Sequence, residues 1–114
     1  MTIERYGVSR RYTDVVIHGD TIYLVAVGQS LEEDITTQTR EALACIDDRL
    51  AQVGSNKSRL LQAVVYLPSM ADYDAMNVVW DAWVPEGAAP SRACIQAGLA
   101  NPKMRIEIVV TAAR

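Results

Sequence analysis

Arg105-Ile-Glu-Ile-Val-Val-Thr-Ala112 is the stretch whose pattern decides the fold. Its alternation puts Ile106, Ile108 and Val110 on one face of a strand and Arg105, Glu107 and Val109 on the other. Just upstream, Arg92-Ala-Cys-Ile-Gln-Ala97 repeats the pattern, with Ala93, Ile95 and Ala97 opposed to Arg92, Cys94 and Gln96. Gly98-Leu-Ala-Asn-Pro-Lys103 between them has the glycine and Asn-Pro of a connecting loop. The two runs are therefore expected to pair as antiparallel neighbours, both apolar sets lying under helices. Arg92, Cys94, Gln96 and Glu107 would then share the opposite face. That face also carries Val109, joined by Val64 and Val25 from earlier strands, and no helix of the chain is left to cover it. A half-apolar open sheet face implies burial against another subunit, so a homo-oligomer is expected.

The remaining elements follow from local signals. Val15-Val-Ile17 and Thr21-Ile-Tyr-Leu-Val25 flank His18-Gly19-Asp20 and read as a hairpin, Gly19 and Asp20 supplying the positive φ of a tight turn. Ser30-Leu-Glu-Glu33 has the form of a capping box, after which Ile35, Thr39, Ala42, Ile46, Leu50 and Val53 recur at helical spacing until Gly54. Leu60 to Leu67 is short, β-branched at its centre and closed by Pro68, the pattern of a buried strand. Ser69 opens a second helix with an apolar stripe of Tyr73, Met76, Trp80 and Trp83, ended by Pro85 and Gly87. The order is β-β-α-β-α-β-β, with an extra edge strand expected at Thr2 to Tyr6. It specifies an α+β sandwich, one sheet with two helices on one face.

At 114 residues the chain is one domain, residues 1–114, with one core. No apolar run spans a bilayer and Met1 to Arg11 is too polar for a signal peptide, so a cytoplasmic protein without membrane contact is expected. Eleven basic against fourteen acidic residues, a net charge of −3, is the wrong sign for a protein that neutralises phosphates, and no nucleic-acid partner is expected. Cys45, Cys94 and the single His18 cannot form a zinc site, so no metal is expected. No GxGxxG, GxxxxGK[ST] or GxSxG motif is present, which leaves dinucleotide, P-loop and hydrolase-elbow chemistry without support.

Two residues stand out chemically. The planar fork of Arg92 suits a carboxylate, held by two parallel charge-assisted hydrogen bonds, and Glu107 offers a proton acceptor or a handle on water. The same two residues could equally form an interfacial salt bridge. Cys94 and His18 could form a nucleophile and base, but His18 sits beside a turn where nothing orients its imidazole. The aromatic stripe of the second helix has the spacing of core, and Arg10-Arg11 that of a solvated charge run.

Ala89-Pro-Ser-Arg-Ala-Cys-Ile-Gln-Ala97 followed by Lys103-Met-Arg-Ile-Glu-Ile-Val-Val-Thr-Ala112 resembles the C-terminal signature of the RidA/YjgF (RutC-like) family, a P-x-R-x-C strand followed by V/I-E-I-x-x-x-A. Gly54-Ser-Asn-Lys57, Asp72-Tyr-Asp-Ala-Met-Asn77, Trp80-Asp-Ala-Trp83 and Gln96-Ala-Gly-Leu99 are similar to its short YoaB-like branch. The resemblance implies a chorismate-mutase-like α+β protomer, assembled as a homotrimer with clefts at the subunit interfaces. It implies hydrolytic deamination, without cofactor, of reactive enamines and imines such as 2-aminoacrylate to 2-oxo acids and ammonia. Carried over by position, Arg92 matches the carboxylate clamp and Glu107 the acid near the reacting nitrogen and water. Cys94 matches a residue lining the cleft through its main chain, and Tyr12 and Asn77 match a cleft tyrosine and asparagine. One departure stands out. Where deaminase members have Ser-Gly followed by Gln, this chain aligns either Val25-Ala26-Val27 or Val27-Gly28-Gln29, without the hydroxyl. A non-catalytic trimer that binds small carboxylate metabolites is the alternative.

Overall fold

The computed structural model describes residues 1–114. Strands β1 (Ile3–Val8), β2 (Thr13–His18) and β3 (Thr21–Val27) form an antiparallel meander at one side of the sheet. The turn between β2 and β3 needs positive φ only at Gly19 (61°), not at Asp20, as when glycine occupies the first central position of a two-residue turn. Helix α1 (Ile35–Gln52) starts later than the capping box suggests, because Asp34 supplies the cap: its carboxylate accepts from the Thr37 N–H at 2.9 Å. Ser30 instead binds Glu41 on the helix, through its hydroxyl (2.6 Å) and its N–H (2.8 Å). Gly54, just past the end, takes φ 79°, as its stop signal requires.

Strand β4 (Leu60–Leu67), helix α2 (Tyr73–Trp83) and strand β5 (Ser91–Gln96) form a β-α-β unit, entered through a 3₁₀ turn at Met70–Asp72 capped by Ser69. Strand β6 (Glu107–Ala113) closes the chain, and the sheet order is β1-β2-β3-β6-β4-β5. The expected antiparallel pairing of the last two strands is therefore wrong. β5 pairs in parallel with β4, and β6 inserts antiparallel between β3 and β4. The physical reason lies in α2: a helical crossover returns the chain parallel to the strand it left, which makes β4 the natural neighbour of β5. The result is one mixed six-stranded sheet with two helices. No helix is long and apolar enough to cross a membrane.

Alternation then sorts the two faces. Val15, Ile17, Ile22, Leu24, Ala26, Ala63, Val65, Ile108 and Val110 are buried against Ala42, Leu43, Ile46 and Leu50 of α1 and Met76, Val79 and Trp80 of α2. Burying such side chains, each contributing roughly 1.5–3 kcal/mol, fixes both helices to this face. Gln38 of α1 is fully buried, and its amide donates to the carbonyls of Glu33 and Lys103 and accepts from the Arg105 N–H, tying the loops before α1 and β6 together. The other face bears Val64, Val109, Tyr23, Val25 and Ile95, the last three nearly half exposed. On β5 the expected parity is inverted. Arg92 and Cys94 lie in register with Ala63 and Val65, both fully buried, so they face the helices while Ala93 and Ile95 face outward.

Candidate functional site

Glu107 opens β6 on the outward face, in register with Val27 of β3 on one side and Tyr66 of β4 on the other. It makes no ion pair or side-chain hydrogen bond within the chain, whose four ion pairs join Arg49 to Asp14, Lys103 to Glu32, Arg105 to Asp72 and Arg114 to Glu4. A cavity of about 430 Å³ lies against it, lined also by Tyr12, Val25, Val27, Gln29 and Met104. Tyr12, at the turn into β2, is well exposed and brings its phenol to the same cavity. Thr13, Arg49 and Asp14 complete the lining; Arg49 and Asp14 pair with each other at 3.3 Å, and Arg49 also donates to the Val25 carbonyl. Glu107 is thus the lining carboxylate without an ionic partner.

Arg92 occupies a different part of the molecule. Its guanidinium lies 5.1 Å from the centroid of the Trp80 ring, and Nη1 contacts Met76 Sδ at 3.8 Å. Both partners belong to α2, and Asn77 follows Met76 directly, half-buried on the same helix. A cation resting on a π face and a soft sulfur is held in place while most of its hydrogen-bonding capacity stays free. Trp80 therefore has two roles, core residue and seat for Arg92. Cys94 lies two residues along β5, half-buried; burial raises its thiol pKa, against a smaller lowering by Arg92, so it is not an activated thiolate.

The structure thus groups Tyr12 with Glu107, and Arg92 with Cys94 beside the α2 segment that carries Asn77. It does not bring the two groups together. Arg92 and Glu107 sit on opposite faces of the sheet with β4 between their strands, a separation of roughly 10 Å in strand spacing alone. A cross-strand salt bridge within the chain is ruled out by that placement. His18 is exposed at the end of β2, four strand positions from Cys94, roughly 19 Å away, so the two form no nucleophile and base pair. No three His, Cys, Asp or Glu side chains converge in a metal-binding arrangement. Sequence reading did not single out Met76 and Trp80 as the seat of Arg92, nor Met104 and Val27 as neighbours of Glu107. The aromatic stripe carried the first signal; the second depends on strand register, which local pattern does not encode.

A family model described as endoribonuclease L-PSP matches residues 2–114. The RutC family protein YoaB of Escherichia coli K12 is 48% identical over 113 residues, covering 99% of each chain. The chain belongs to the RidA/YjgF/RutC family. A solved structure of a YjgF family member from Neisseria meningitidis superposes with a TM-score of 0.97 at 44% identity, covering 100% of this chain and 96% of that one. A more distant relative, 35% identical over 79 residues (69% of this chain, 62% of that protein), is the 3-aminoacrylate deaminase RutC of Acinetobacter baylyi. Of the two alignments with the RidA deaminase pattern, geometry favours Val27-Gly28-Gln29. A Cβ on Gly28 would stand 2.8 Å from the Gln38 carbonyl oxygen, so this position requires glycine. Val27, the residue before it, stands opposite Glu107 on β3.

Proposed function

We propose that this protein hydrolyses small reactive imines and enamines derived from 2-amino acids, giving 2-oxo acids and ammonia, in a cleft completed by a second copy of the chain. The observation that carries the reading is that Arg92 and Glu107 both lack an ionic partner in their own chain, on faces from which they cannot reach each other. A homotrimer that covers the apolar sheet face would bring the Arg92 group of one copy against the Glu107 group of the next. The name of the Acinetobacter relative, a 3-aminoacrylate deaminase, agrees with this chemistry.

In this cleft the guanidinium fork of Arg92 takes the substrate carboxylate, with Asn77 and the main chain at Cys94 alongside. Glu107 and Tyr12 of the facing copy hold a water over the reacting carbon. An enamine first moves a proton to its β-carbon and becomes an imine, which is already electrophilic. Glu107 accepts a proton as the water oxygen bonds to the imine carbon and the C=N π pair moves onto nitrogen, and it returns that proton to the nitrogen. The carbinolamine then collapses: a proton passes from its hydroxyl through Glu107 to the amine, the C–N bond breaks, the carbonyl forms and ammonia leaves. Positioning and one acid-base group suffice, without cofactor, metal or covalent nucleophile.

The test is ammonia or 2-oxo acid release when the protein is added to a dehydratase generating 2-aminoacrylate in situ; release no faster than in buffer ends the reading for that substrate. Val27 beside Glu107 favours a second reading, a non-catalytic binder of small carboxylates, because the hydroxyl that would hold the substrate is missing. RNA cleavage, the activity in the family model's description, fits poorly with a net charge of −3 and no basic stripe. Neither reading involves a membrane.

A further inference from the structure

We infer that Trp80 is a positioning residue for carboxylate binding: its indole face sets the orientation in which the Arg92 guanidinium takes the ligand, and Trp83 and Asp47 hold that indole in turn. The inference rests on the reading that Arg92 binds the substrate carboxylate. Met76, Trp80 and Trp83 recur at i, i+4 and i+7 and so share one face of α2. The first two touch Arg92, which faces the helices from β5. The Trp80 and Trp83 rings lie 5.4 Å apart between centroids and are tilted by 52°, within the spacing that aromatic pairs favour. Trp83 is held from α1, its Nε1–H donating to the Asp47 carboxylate at 2.9 Å, while Lys57 Nζ stands 5.3 Å from its ring centroid. Lys57 thus occupies Trp83 and leaves Trp80 to Arg92. The series Asp47, Trp83, Trp80, Arg92 runs from the core helix to the guanidinium through indoles that have only two side-chain torsions each to order. A free arginine side chain loses many rotamers when a ligand immobilises it. One stacked on a buried ring has lost them already on folding. A protein carboxylate would hold Arg92 equally well but would consume the fork that a ligand carboxylate needs, whereas a ring face and a thioether leave most of its N–H donors free.

The experiment measures 2-oxobutanoate binding by calorimetry, and thermal midpoints on the same preparations, for the wild type, Arg92→Ala, Trp80→Phe and Trp80→Leu. Both Trp80 variants remove indole volume, but only Phe keeps a π face. Trp80→Phe should bind within about threefold of the wild type and Trp80→Leu roughly tenfold more weakly, while the two thermal midpoints fall together. Affinities equal in the two variants, or following their midpoints, make Trp80 structural and overturn the inference. A second readout is spectroscopic, because Trp80 and Trp83 are the only tryptophans of the chain. In Trp83→Phe, which retains Trp80 alone, 2-oxobutanoate should shift the emission maximum, since the bound carboxylate offsets a charge 5.1 Å from the ring centroid. Trp80→Phe, which retains Trp83, should show no shift. Binding without a shift in Trp83→Phe, or with the shift in Trp80→Phe instead, overturns the inference, and this readout decides if Trp80→Leu does not fold. If Arg92→Ala binds as tightly as the wild type, or the wild type does not bind 2-oxobutanoate, Arg92 is not the carboxylate clamp and the inference falls with it. If Arg92→Ala weakens binding and the Trp80 variants do not, the inference alone falls. Absence of imine turnover with the predicted binding pattern ends the deaminase reading and leaves the role of Trp80 standing.

Discussion

Arg92 rests on an indole ring and a sulfur rather than on a carboxylate, and that environment sets what its replacement should do. Lysine keeps the charge but loses the planar fork, so Arg92→Lys should weaken binding of 2-oxobutanoate several-fold, and Arg92→Ala should cost roughly 2–5 kcal/mol if the charge pair with the ligand is desolvated. Calorimetry on folded variants reads this directly; unchanged affinity would make Arg92 structural. Glu107→Gln keeps size and hydrogen bonding but removes the proton acceptor. It should lower turnover by roughly 10²–10⁴-fold while barely changing 2-oxo acid affinity, and turnover that survives would remove Glu107 from the mechanism. The identities of both residues were legible in the P-x-R-x-C and I-E-I patterns, but the side of the sheet that Arg92 takes was not. Alternation fixes which residues of β5 share a face, not which face it is. Here the chemically polar set turns inward because Trp80 and Met76 accommodate a guanidinium, leaving Ala93 and Ile95 outside.

Among the elements, α1 was legible over nearly its whole length because its apolar positions recur every three to four residues. Its start was not, since Ser30-Leu-Glu-Glu33 and Asp34 both offer capping chemistry and only the tertiary contact of Ser30 with Glu41 decides between them. The order of the last strands was misread because a polar, proline-containing linker resembles a turn, while the parallel return imposed by α2 fixes β5 beside β4. Two carboxylates, Asp34 at the cap of α1 and Glu41 in its second turn, also set a pH dependence. Hydrogen bonds from the Ser30 side chain and backbone, and from the Gln29 N–H, lower the Glu41 pKa, and the Thr37 N–H lowers that of Asp34. Folded-state values below the unfolded ones mean that their stabilisation is fully present above the ordinary carboxylate range and is lost as pH falls through the lowered values. Urea midpoints followed from about pH 7 to about pH 2 should therefore fall less steeply for Glu41→Gln than for the wild type. Identical acid limbs would show that the Glu41 contacts are no stronger in the folded chain than water is in the unfolded one. Glu41 also holds Gln29 and Ser30 just beyond Val27, so this loss would reach the wall of the Glu107 cavity.

At the scale of the whole molecule, the sheet has one face covered by its own helices and one that is not. Val64 and Val109 of the uncovered face, with the half-exposed Tyr23, Val25 and Ile95, form a surface suited to a second copy. Sedimentation should give a mass near three times the 12.5 kDa protomer, and a stable monomer at micromolar concentration would contradict the interfacial cleft. That the face would be apolar could be read from Val25, Val64 and Val109 in the sequence. That it would separate Arg92 from Glu107 could not, because the separation depends on β4 lying between their strands. The central claim is that these two residues act on one substrate from different copies, and subunit complementation tests it most directly. Arg92→Ala and Glu107→Gln proteins, each inactive alone, are mixed under conditions where mass spectrometry confirms exchange, and imine hydrolysis is measured. In a cyclic trimer every mixed assembly contains one interface with both native residues, so an equal mixture should recover about a quarter of wild-type turnover. Exchange without any recovery beyond the two variants measured separately would contradict a site shared between copies.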